Sequence, residues 1–428
     1  MTYPEAEARL LALPRFADRG AAAYNPGLDR MRALLEALGT PQDRYPSVHI
    51  AGTNGKGSTA SMAAAIARAS GVRVGLHTSP HLFTLRERMR VDGVPAREAW
   101  VADAVARIGD VLDAVQPSFF EATVALSLLH VAEAAVDLAV VEVGLGGRLD
   151  ATNVLVPAVS AVTHIGLDHT DLLGETRPEI AREKAGIAKP GVPFLHAVAD
   201  PEARAALENE AASRGATVEA VRDTCRADPE TGGVRIVTPE ADYGVVPVGL
   251  PGVHQAWNAA LAARAAEVAL DRLRGDRLAA DAVRTGLTDV VRLSGLRGRG
   301  EAWAGDPRVT LDVAHNPDGW RAALGAMRVP EAGRLWALVG AMADKDADAL
   351  AALLAASGAR ALVLGLPGER GLPADALTQS LRRLGVEATT VEGAAAGLRA
   401  FTEAAAPDDR LLATGSHLVV ADVLGATP

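Results

Sequence analysis

The segment Ile50–Thr59, with the sequence IAGTNGKGST, constrains the fold of this chain more than any other segment. A β-type run, Ser47–Ala51, leads into the glycine-rich turn, and an alanine-rich helical stretch, Gly57–Ala69, leaves it. Glycines let backbone N–H groups converge on a phosphate at the N-terminus of the following helix. The segment therefore predicts an α/β domain of the P-loop type, with a phosphate site at the end of a strand.

Two side chains of this loop carry the expected chemistry. Lys56 is placed to reach the outer phosphates of a nucleotide, and Ser58 is placed to hold Mg²⁺. The standard P-loop has Ser or Thr directly after the lysine, whereas Gly57 intervenes here. The alternative interpretation of the segment is a glycine-rich turn that binds no ligand. The other loop residues expected at the nucleotide are Thr53, Asn54, Gly55 and Gly57.

Lysine is rare in this chain. Of 43 basic residues only four are lysines, namely Lys56, Lys184, Lys189 and Lys345. A lysine that is kept in such a chain is a candidate for a task that guanidinium cannot perform, such as a compact contact with phosphates or a reaction at nitrogen. The alternative for each of the four is that the lysine has been kept by chance and has no special role. Lys184 lies in an alanine-rich helical stretch, where it could also be an ordinary exposed lysine.

Two further segments place polar side chains after strand-like runs. Glu142 ends the run Leu138–Val143, where it could meet a nucleotide-bound metal or be a solvated strand end. The segment Thr163–Asp171 begins at the end of the run Ala158–Ile165 and contains Asp168 and His169. Since histidine is an unusual ligand for Mg²⁺, chemistry alone favours Asp168 over His169.

The alternation of strands and helices extends along the whole chain and restarts after a glycine-rich connection. Among the expected elements are a helix over Ala96–Ala114, a helix that begins at the capping box of Thr176 and Glu179, a hairpin between Cys225 and Leu250 and a strand at Leu335–Val339. We predict a larger N-terminal domain over 1–294 with a mainly parallel sheet, a linker over 295–300, and a smaller Rossmann-like α/β domain over 301–428. In the second domain Asp312 ends a strand, a position suited to ribose hydroxyls. His315 follows it and by itself reads as a turn residue.

Composition limits the remaining possibilities. The net charge of −10 argues against broad nucleic-acid binding, which needs a positive surface. The single cysteine, Cys225, excludes an internal disulfide. No apolar stretch of about 18 residues suggests a membrane span, and the first residues do not resemble a secretory signal. We therefore expect a cytoplasmic protein, a monomer, that binds small molecules.

Together these motifs closely resemble the folylpolyglutamate synthase/dihydrofolate synthase family, a branch of the Mur ligases. The resemblance runs from the Gly-Thr-Asn-Gly-Lys-Gly-Ser loop to Thr414-Gly-Ser416 and includes Thr78-Ser-Pro-His-Leu82, Glu142–Asn153 and Asp312–Pro317. It implies an ATP-dependent amide ligase that adds L-glutamate to dihydropteroate or to a reduced folate through an acyl phosphate. ATP and Mg²⁺ are the implied cosubstrate and cofactor.

The resemblance also implies roles for individual residues. It places Ser58, Glu142 and His169 on magnesium, which overrules Asp168, and it makes Lys184 a carbamylated lysine. Its implied catalytic residues are Lys56, Lys184, His169 and His315. Its implied nucleotide contacts beyond the loop are Asn258, Arg299 and Asp312. Its implied substrate contacts are Ser79, His81, Ser118, Phe119, Phe120, Glu121, Leu149, Asp150, Ala151 and Ser416.

Two departures from the family pattern stand out. The linker carries Leu296-Arg297-Gly298-Arg299 where the family usually has Trp-Pro-Gly-Arg, and His417 follows Ser416 where an aromatic is usual. Phe119 and Phe120 could contact a pterin ring or belong to the core. The alternatives in function are another Mur-type amino-acid ligase and, from another class, a nucleotide-dependent switch or transport ATPase.

Overall fold

The computed structural model describes residues 1–14, 27–368 and 370–426. Two compact units form. The first comprises Met1–Gly249 and His254–Leu296, and the second comprises Leu250–Val253 and Arg297–Pro428. In the described part of the chain no helix is long and apolar enough to cross a membrane.

An eight-stranded sheet organises the first unit. Its spatial order is β4-β3-β2-β5-β1-β6-β7-β8, with β3 and β4 antiparallel at one edge and the other neighbours parallel. Parallel strands buried on both faces read as nearly continuous apolar runs, which is why the sequence reveals them. The strands are β1 (Ser47–Ala51), β2 (Val74–His77), β3 (Met89–Val91), β4 (Val94–Pro95), β5 (Leu138–Glu142), β6 (Val159–Val162), β7 (Pro193–His196) and β8 (Thr217–Ala220).

Helices cover both faces of this sheet, and two of them are almost entirely buried. Lys56–Ala69 is rich in Ala and other small residues, and Phe119–Glu133 is rich in Ala, Val and Leu, as expected for helices enclosed by other elements. The other helices of the unit are Tyr3–Leu11, Asp29–Ala37, Glu98–Arg107, Gly109–Val115, Thr170–Leu173, Arg177–Ala185, Pro201–Ser213, Val221–Thr224, Gln255–Arg274, Ala280–Thr288 and Val290–Ser294. Short 3-10 turns lie at Pro41–Asp43, Leu85–Arg88 and Ala151–Val154.

A small antiparallel sheet completes the first unit, with the order β11-β10-β9. Its strands are β9 (Arg226–Glu230), β10 (Gly233–Val237) and β11 (Asp242–Val246). Buried Glu267, on the helix Gln255–Arg274, accepts hydrogen bonds from Thr238 and Tyr243 and so attaches the small sheet to this helix.

The second unit contains a six-stranded sheet of order β12-β13-β17-β14-β15-β16, parallel except for β12 at its edge. Its core is apolar and centres on Trp320, Leu350 and Leu412. The strands are β12 (Arg299–Ala302), β13 (Val309–Asp312), β14 (Leu335–Val339), β15 (Arg360–Val363), β16 (Ala388–Thr390) and β17 (Arg410–Thr414). The helices are Pro317–Ala326, Ala347–Ala356, Ala374–Arg383, Ala394–Ala404 and His417–Gly425.

The predicted fold class is confirmed, and four local expectations need correction. The stretch Ala96–Ala114 forms two helices, Glu98–Arg107 and Gly109–Val115, which are separated at Ile108. The hairpin expected between Cys225 and Leu250 is the three-stranded sheet. Arg299 and Gly300, expected in a linker, already belong to β12. The sequence did not reveal β3, β4 and β8, which are short.

Candidate active site

Four neighbouring parallel strands bring the predicted site segments to one edge of the first sheet. In the order β2-β5-β1-β6, Ile50 is opposite Glu142 and Ala51 is opposite Val162. Parallel strands have their carboxyl ends at the same edge, so the loops after them meet there. The predicted segments at this edge are Thr78–His81, Glu142 at the end of β5, Gly52–Ser58 with the start of its helix, and His164–His169.

The glycine loop has a backbone that only glycine accommodates at two positions. Gly52 has φ +150° and Gly55 has φ +85°, in the left-handed region. A Cβ on Gly52 would clash with the Thr163 hydroxyl, and a Cβ on Gly55 would lie 2.6 Å from Asn258 Oδ1. The loop is therefore shaped by close approach to two distant residues.

Hydrogen bonds connect this loop to the end of β6. The Thr163 hydroxyl donates to the Asn54 carbonyl at 2.6 Å. The Thr53 hydroxyl donates to the Gly166 carbonyl at 3.1 Å and accepts from the Gly166 N–H at 3.0 Å. These bonds fix the position of the loop relative to the neighbouring segment.

Lys56 begins the helix that leaves the loop, and its side chain turns back over the loop. Its Nζ donates to the carbonyls of Gly52 at 3.0 Å and Thr53 at 3.1 Å. Gly55 is the N-cap and provides no side-chain cap, and Gly57 and Ser58 complete a buried first turn. Helix N-termini of this kind present backbone N–H groups and a positive dipole end to an anion.

Glu142 is buried at the end of β5. Its Oε2 accepts the Ser79 N–H at 3.1 Å, which connects the strand end to the predicted substrate loop. His169 has φ +51° and caps the short helix Thr170–Leu173, with its N–H donating to Asp168 Oδ1 at 3.0 Å. Glu142, as the last residue of β5, and His169, on the loop after β6, thus both lie at the carboxyl edge of the sheet.

Lys184 is buried, so the interpretation as a plain exposed lysine is wrong. Burial, reinforced by the nearby charge of Lys56, lowers its pKa to about 7, although Asp168 and Asp150 act in the opposite direction. A substantial fraction of the amine is therefore neutral near pH 7, as a reaction at nitrogen requires.

Ser118 and Glu121, predicted at the pteroate, form a capping box at the start of the helix Phe119–Glu133. Glu121 accepts the Ser118 N–H at 2.7 Å and also pairs with Arg30 at 3.1 Å. Phe119 belongs to the hydrophobic core, with the Arg88 guanidinium 5.2 Å from its ring centre. Capping and core packing thus account for the observed contacts of these residues.

Phe120 lies against the loop that follows β5. A Cβ on Gly144 would clash with the tip of the Phe120 ring, so glycine makes room for it there. The ring also meets His77 edge-on, with the centroids 6.4 Å apart. Phe120 is partly exposed at this edge of the sheet, unlike its neighbour Phe119.

The other predicted substrate residues have local roles in the loops. Buried Asp150 caps the turn Ala151–Val154 and accepts the Leu145 N–H at 2.8 Å, and burial raises its pKa. Ala151 is buried and Leu149 is partly exposed. His81 Nδ1 accepts a hydrogen bond from Arg88 Nε at 2.8 Å.

Four predicted residues lie in the second unit. Arg299 lies on β12, Asp312 ends β13, and His315 and Ser416 lie on loops at the carboxyl edge of the sheet. Asp312 accepts N–H groups from Gly300 at 3.0 Å and Ala314 at 2.9 Å, and burial raises its pKa although Arg299 opposes this. His315 Nδ1 donates to the Val313 carbonyl at 3.0 Å. Ser416 is the N-cap of the helix His417–Gly425.

Sequence reasoning missed two residues that shape the site. Thr163 holds Gly52 and Asn54 in place, and its signal was only its position after a strand-like run. Arg30 pairs with Glu121 across 91 positions of sequence, for which the sequence offered no signal.

Within the described residues no three His, Cys, Asp or Glu side chains form a group that could hold a metal by themselves. The predicted set of Ser58, Glu142 and His169 has only two such side chains. Mg²⁺ commonly uses one or two protein ligands together with nucleotide phosphates and water. A buried carboxylate and a hydroxyl of the phosphate loop fit that mode of binding.

Comparison with known proteins agrees with this geometry. The Mur ligase middle domain matches residues 50–266, and the Mur ligase glutamate ligase domain matches residues 298–417. A probable bifunctional folylpolyglutamate synthase/dihydropteroate synthase from Halobacterium salinarum is 38% identical over 99% of this chain and 51% of its own length. The chain thus spans about half the length of that relative.

Two other known proteins match this chain along most of their own length. The dihydrofolate synthase/folylpolyglutamate synthase of Escherichia coli is 34% identical over 93% of this chain and 90% of its own length. A crystal structure of a bifunctional folylpolyglutamate synthase/dihydrofolate synthase with Mn, AMPPNP and L-glutamate bound superposes with a TM-score of 0.85. It is 30% identical and covers 99% of this chain and 97% of its own. The chain belongs to the folylpolyglutamate synthase/dihydrofolate synthase family of Mur ligases.

Proposed function

We propose that this protein is an ATP-dependent ligase that joins L-glutamate to the carboxylate of dihydropteroate, of a reduced folate, or of both. The observation that carries the proposal is the arrangement around β1. A glycine-rich loop and a buried carboxylate lie at the ends of the adjacent strands β1 and β5, and the buried Lys184, on the helix Arg177–Ala185, has a pKa lowered in part by the charge of Lys56 in that loop. The relatives named for the same activity support the choice of substrates.

ATP would bind with its phosphates at the loop Gly52–Ser58. The first-turn N–H groups and Lys56 would neutralise phosphate charge, and Lys56 would exchange the Gly52 and Thr53 carbonyls for phosphate oxygens. Ser58, Glu142 and His169 would hold Mg²⁺, which supplies Lewis-acid stabilisation of charge on the phosphoryl oxygens. In the second unit Arg299 and Asp312 would contact the nucleotide.

The first chemical step activates the pteroate or folate carboxylate. Its oxygen attacks the γ-phosphorus of ATP, the bond to the β-γ bridging oxygen breaks, and ADP leaves with both electrons of that bond. Lys56 stabilises the charge that develops on the transferring phosphoryl group. The product is an acyl phosphate, whose phosphate is a better leaving group than the original carboxylate oxygen.

The second step forms the amide. The neutral amine of glutamate attacks the acyl carbon, phosphate leaves, and the amine proton passes to a nearby base or to water. Water must be excluded because it hydrolyses the acyl phosphate. His315 and Ser416, on the second unit's loops, are the residues proposed for the amino-acid side.

Lys184 is proposed to carry a carbamate. Its neutral Nζ adds to CO₂, a nitrogen–carbon bond forms and one proton leaves, so an ammonium becomes an anion. The lowered pKa supports this reaction because only the neutral amine has the required electron pair. The carbamate would supply oxygens that orient the ligands of magnesium.

The test is ADP release by purified protein with MgATP, L-glutamate and either dihydropteroate or a reduced folate. We expect ADP only when glutamate and an acceptor are both present, together with a product larger by one glutamyl residue. A different amino acid or acceptor giving the higher turnover would indicate another Mur-type ligase. ADP release without any acceptor would indicate a nucleotide-dependent ATPase.

A further inference from the structure

The chain leaves the first sheet between β2 and β3 at the edge where Glu142 lies. His77 at the end of β2 is opposite Met89 at the start of β3, so the loop 78–84 and the short turn after it extend beyond the sheet. Near the start of this loop the Ser79 N–H donates to Glu142 Oε2 at 3.1 Å. The conformation of the loop therefore affects how the carboxylate at the end of β5 is held.

One carboxylate gathers the far end of this loop. Glu87 Oε1 accepts the N–H groups of Phe83 at 2.9 Å and Thr84 at 3.0 Å. The other oxygen, Oε2, accepts the Leu82 N–H at 3.0 Å. Burial acts to raise the pKa of Glu87, but these three N–H groups and the charge of Arg90 lower it overall. The carboxylate is therefore ionised at neutral pH, and its charge strengthens the three hydrogen bonds.

Helix capping alone does not account for these contacts. Thr84 and Glu87 form a capping box at the short turn Leu85–Arg88, and that arrangement needs only the Thr84 N–H. In the capping box of Thr2 and Glu5 the glutamate is exposed and accepts only the Thr2 N–H among the described residues. The two further N–H groups that Glu87 accepts belong to the loop itself.

Arg90 connects the two ends of the loop. This buried residue of β3 places its Nη2 atom 3.9 Å from Glu87 Oε2, while its Nη1 donates to the Thr78 hydroxyl at 3.2 Å. Thr78 is the first residue of the loop and directly precedes Ser79, whose N–H contacts Glu142. The charged pair thus holds the start of the loop through Arg90 and its far end through Glu87.

We propose that Glu87 and Arg90 are positioning residues that hold the loop 78–84 in a fixed conformation for the acceptor carboxylate. This inference rests on the proposed function. In the strand order β2-β5-β1 the loop lies on the opposite side of Glu142 from the phosphate loop. A nucleophile attacks the γ-phosphorus in line, opposite to the leaving ADP, and we therefore place the acceptor on the side of this loop. A loop that is ordered before binding spares the acceptor the entropic cost of ordering it.

The first test measures hydrogen–deuterium exchange of the loop in the full-length protein without ligands. In Glu87→Gln one acceptor oxygen remains, so at least one loop N–H loses its partner and Arg90 loses its counter-charge. We expect the peptide containing residues 82–84 to exchange on the order of tenfold faster. Glutamine still serves in a capping box, so the matched control Glu5→Gln should exchange like the wild type. Wild-type exchange of this peptide in Glu87→Gln would overturn the proposal.

The second test separates positioning from stability. Glu87→Gln should raise the KM of the acceptor on the order of tenfold, with a smaller change in kcat. ADP binding measured by calorimetry should stay at the wild-type affinity, and Glu5→Gln should change neither quantity. A lower melting temperature with an unchanged KM would make Glu87 a purely structural residue and reject the positioning role.

Thr78→Val removes only the hydroxyl that Arg90 contacts at the other end of the loop. It should raise the acceptor KM in the same way but less, and it decides the question if Glu87→Gln does not fold. In the double variant the two effects should not add, because both substitutions release the same loop. Full additivity would contradict a shared action on the loop.

These measurements also distinguish the inference from the proposed function. A wild type that releases no ADP with either acceptor would reject the proposed function, and the exchange measurement would then decide alone whether Glu87 holds the loop. A wild type that is active, with an acceptor KM that neither Glu87→Gln nor Thr78→Val changes, would reject the inference and leave the proposed function intact.

Discussion

Asn258 approaches Gly55 so closely that a Cβ on residue 55 would lie 2.6 Å from the Asn258 Oδ1 atom. The Asn258 amide is itself held by Gln255, whose Oε1 accepts from Nδ2 at 2.9 Å. The helix Gln255–Arg274 therefore supports the phosphate loop from a position about 200 residues further along the chain, and Gly55 is the point of contact.

Replacing Gly55 by alanine should disrupt the loop. The added Cβ would collide with Asn258, and φ +85° is unfavourable for alanine. We expect ADP formation to fall at least tenfold, by analogy with misplaced catalytic groups, while circular dichroism stays unchanged. The matched control is Gly71→Ala, which has φ +78° and open space around its Cβ. If both variants lose activity equally, backbone strain and not the Asn258 contact is responsible.

Lys56→Ala should abolish ADP formation and leave the thermal midpoint nearly unchanged, because the side chain is only partly buried and its Nζ donates to loop carbonyls and not to groups of the hydrophobic core. Lys56→Arg should fail to restore activity, since the planar guanidinium is larger than the ammonium that it replaces. Initial rates of ADP release and a thermal melt measure both effects. Near-normal turnover of Lys56→Arg would contradict the phosphate-loop assignment.

Glu142→Gln keeps the shape of the side chain and an oxygen that can still accept the Ser79 N–H, but removes the charge. We expect a higher magnesium requirement and a turnover reduced on the order of tenfold or more, with little change in melting temperature. Magnesium titrations of the initial rate measure this. A collapse in melting temperature with full activity per folded molecule would make Glu142 structural.

Lys184→Ala should be nearly inactive and should regain some activity with added short-chain carboxylic acids, which replace the missing anion. Lys184→Arg should stay inactive, because guanidinium does not form the carbamate. Lys189→Arg is the control, since Lys189 is the half-buried lysine nearest in sequence and donates only to the Asn153 carbonyl among the described residues. Full activity of Lys184→Arg would argue against carbamylation.

The buried Lys184 amine should also affect stability in CO₂-free buffer. Its folded pKa is about 7 and its ordinary value is 10.5, so between these pH values the unfolded chain binds more protons. The free energy of unfolding therefore gains a contribution that rises with pH across this range and is complete above 10.5. Lys184→Met should be more stable than the wild type near pH 6, and this advantage should shrink towards pH 10. Urea melts at several pH values measure it, and a constant difference would contradict a lowered pKa.

Local patterns predicted much of the fold. The strands β1 and β14 have the bounds that their apolar runs indicated, and the capping box at Thr176 and Glu179 begins a helix as expected. Prediction from local patterns failed where a side chain makes its contacts with a residue far away in the sequence. The pairing of Arg30 with Glu121 joins residues that are 91 positions apart, and no local pattern in the sequence contains it.

By itself, the sequence determined the α/β class, the phosphate loop and the family, because these depend on short runs of residues whose spacing expresses their chemistry. Only the tertiary structure decided that Lys184 is buried with a lowered pKa, that Asn258 supports Gly55, and that the loop after β2 contacts Glu142. Burial and electrostatic neighbours come from segments that are far apart in the chain. Their effect on a side chain therefore exists only once the sheet has brought those segments together.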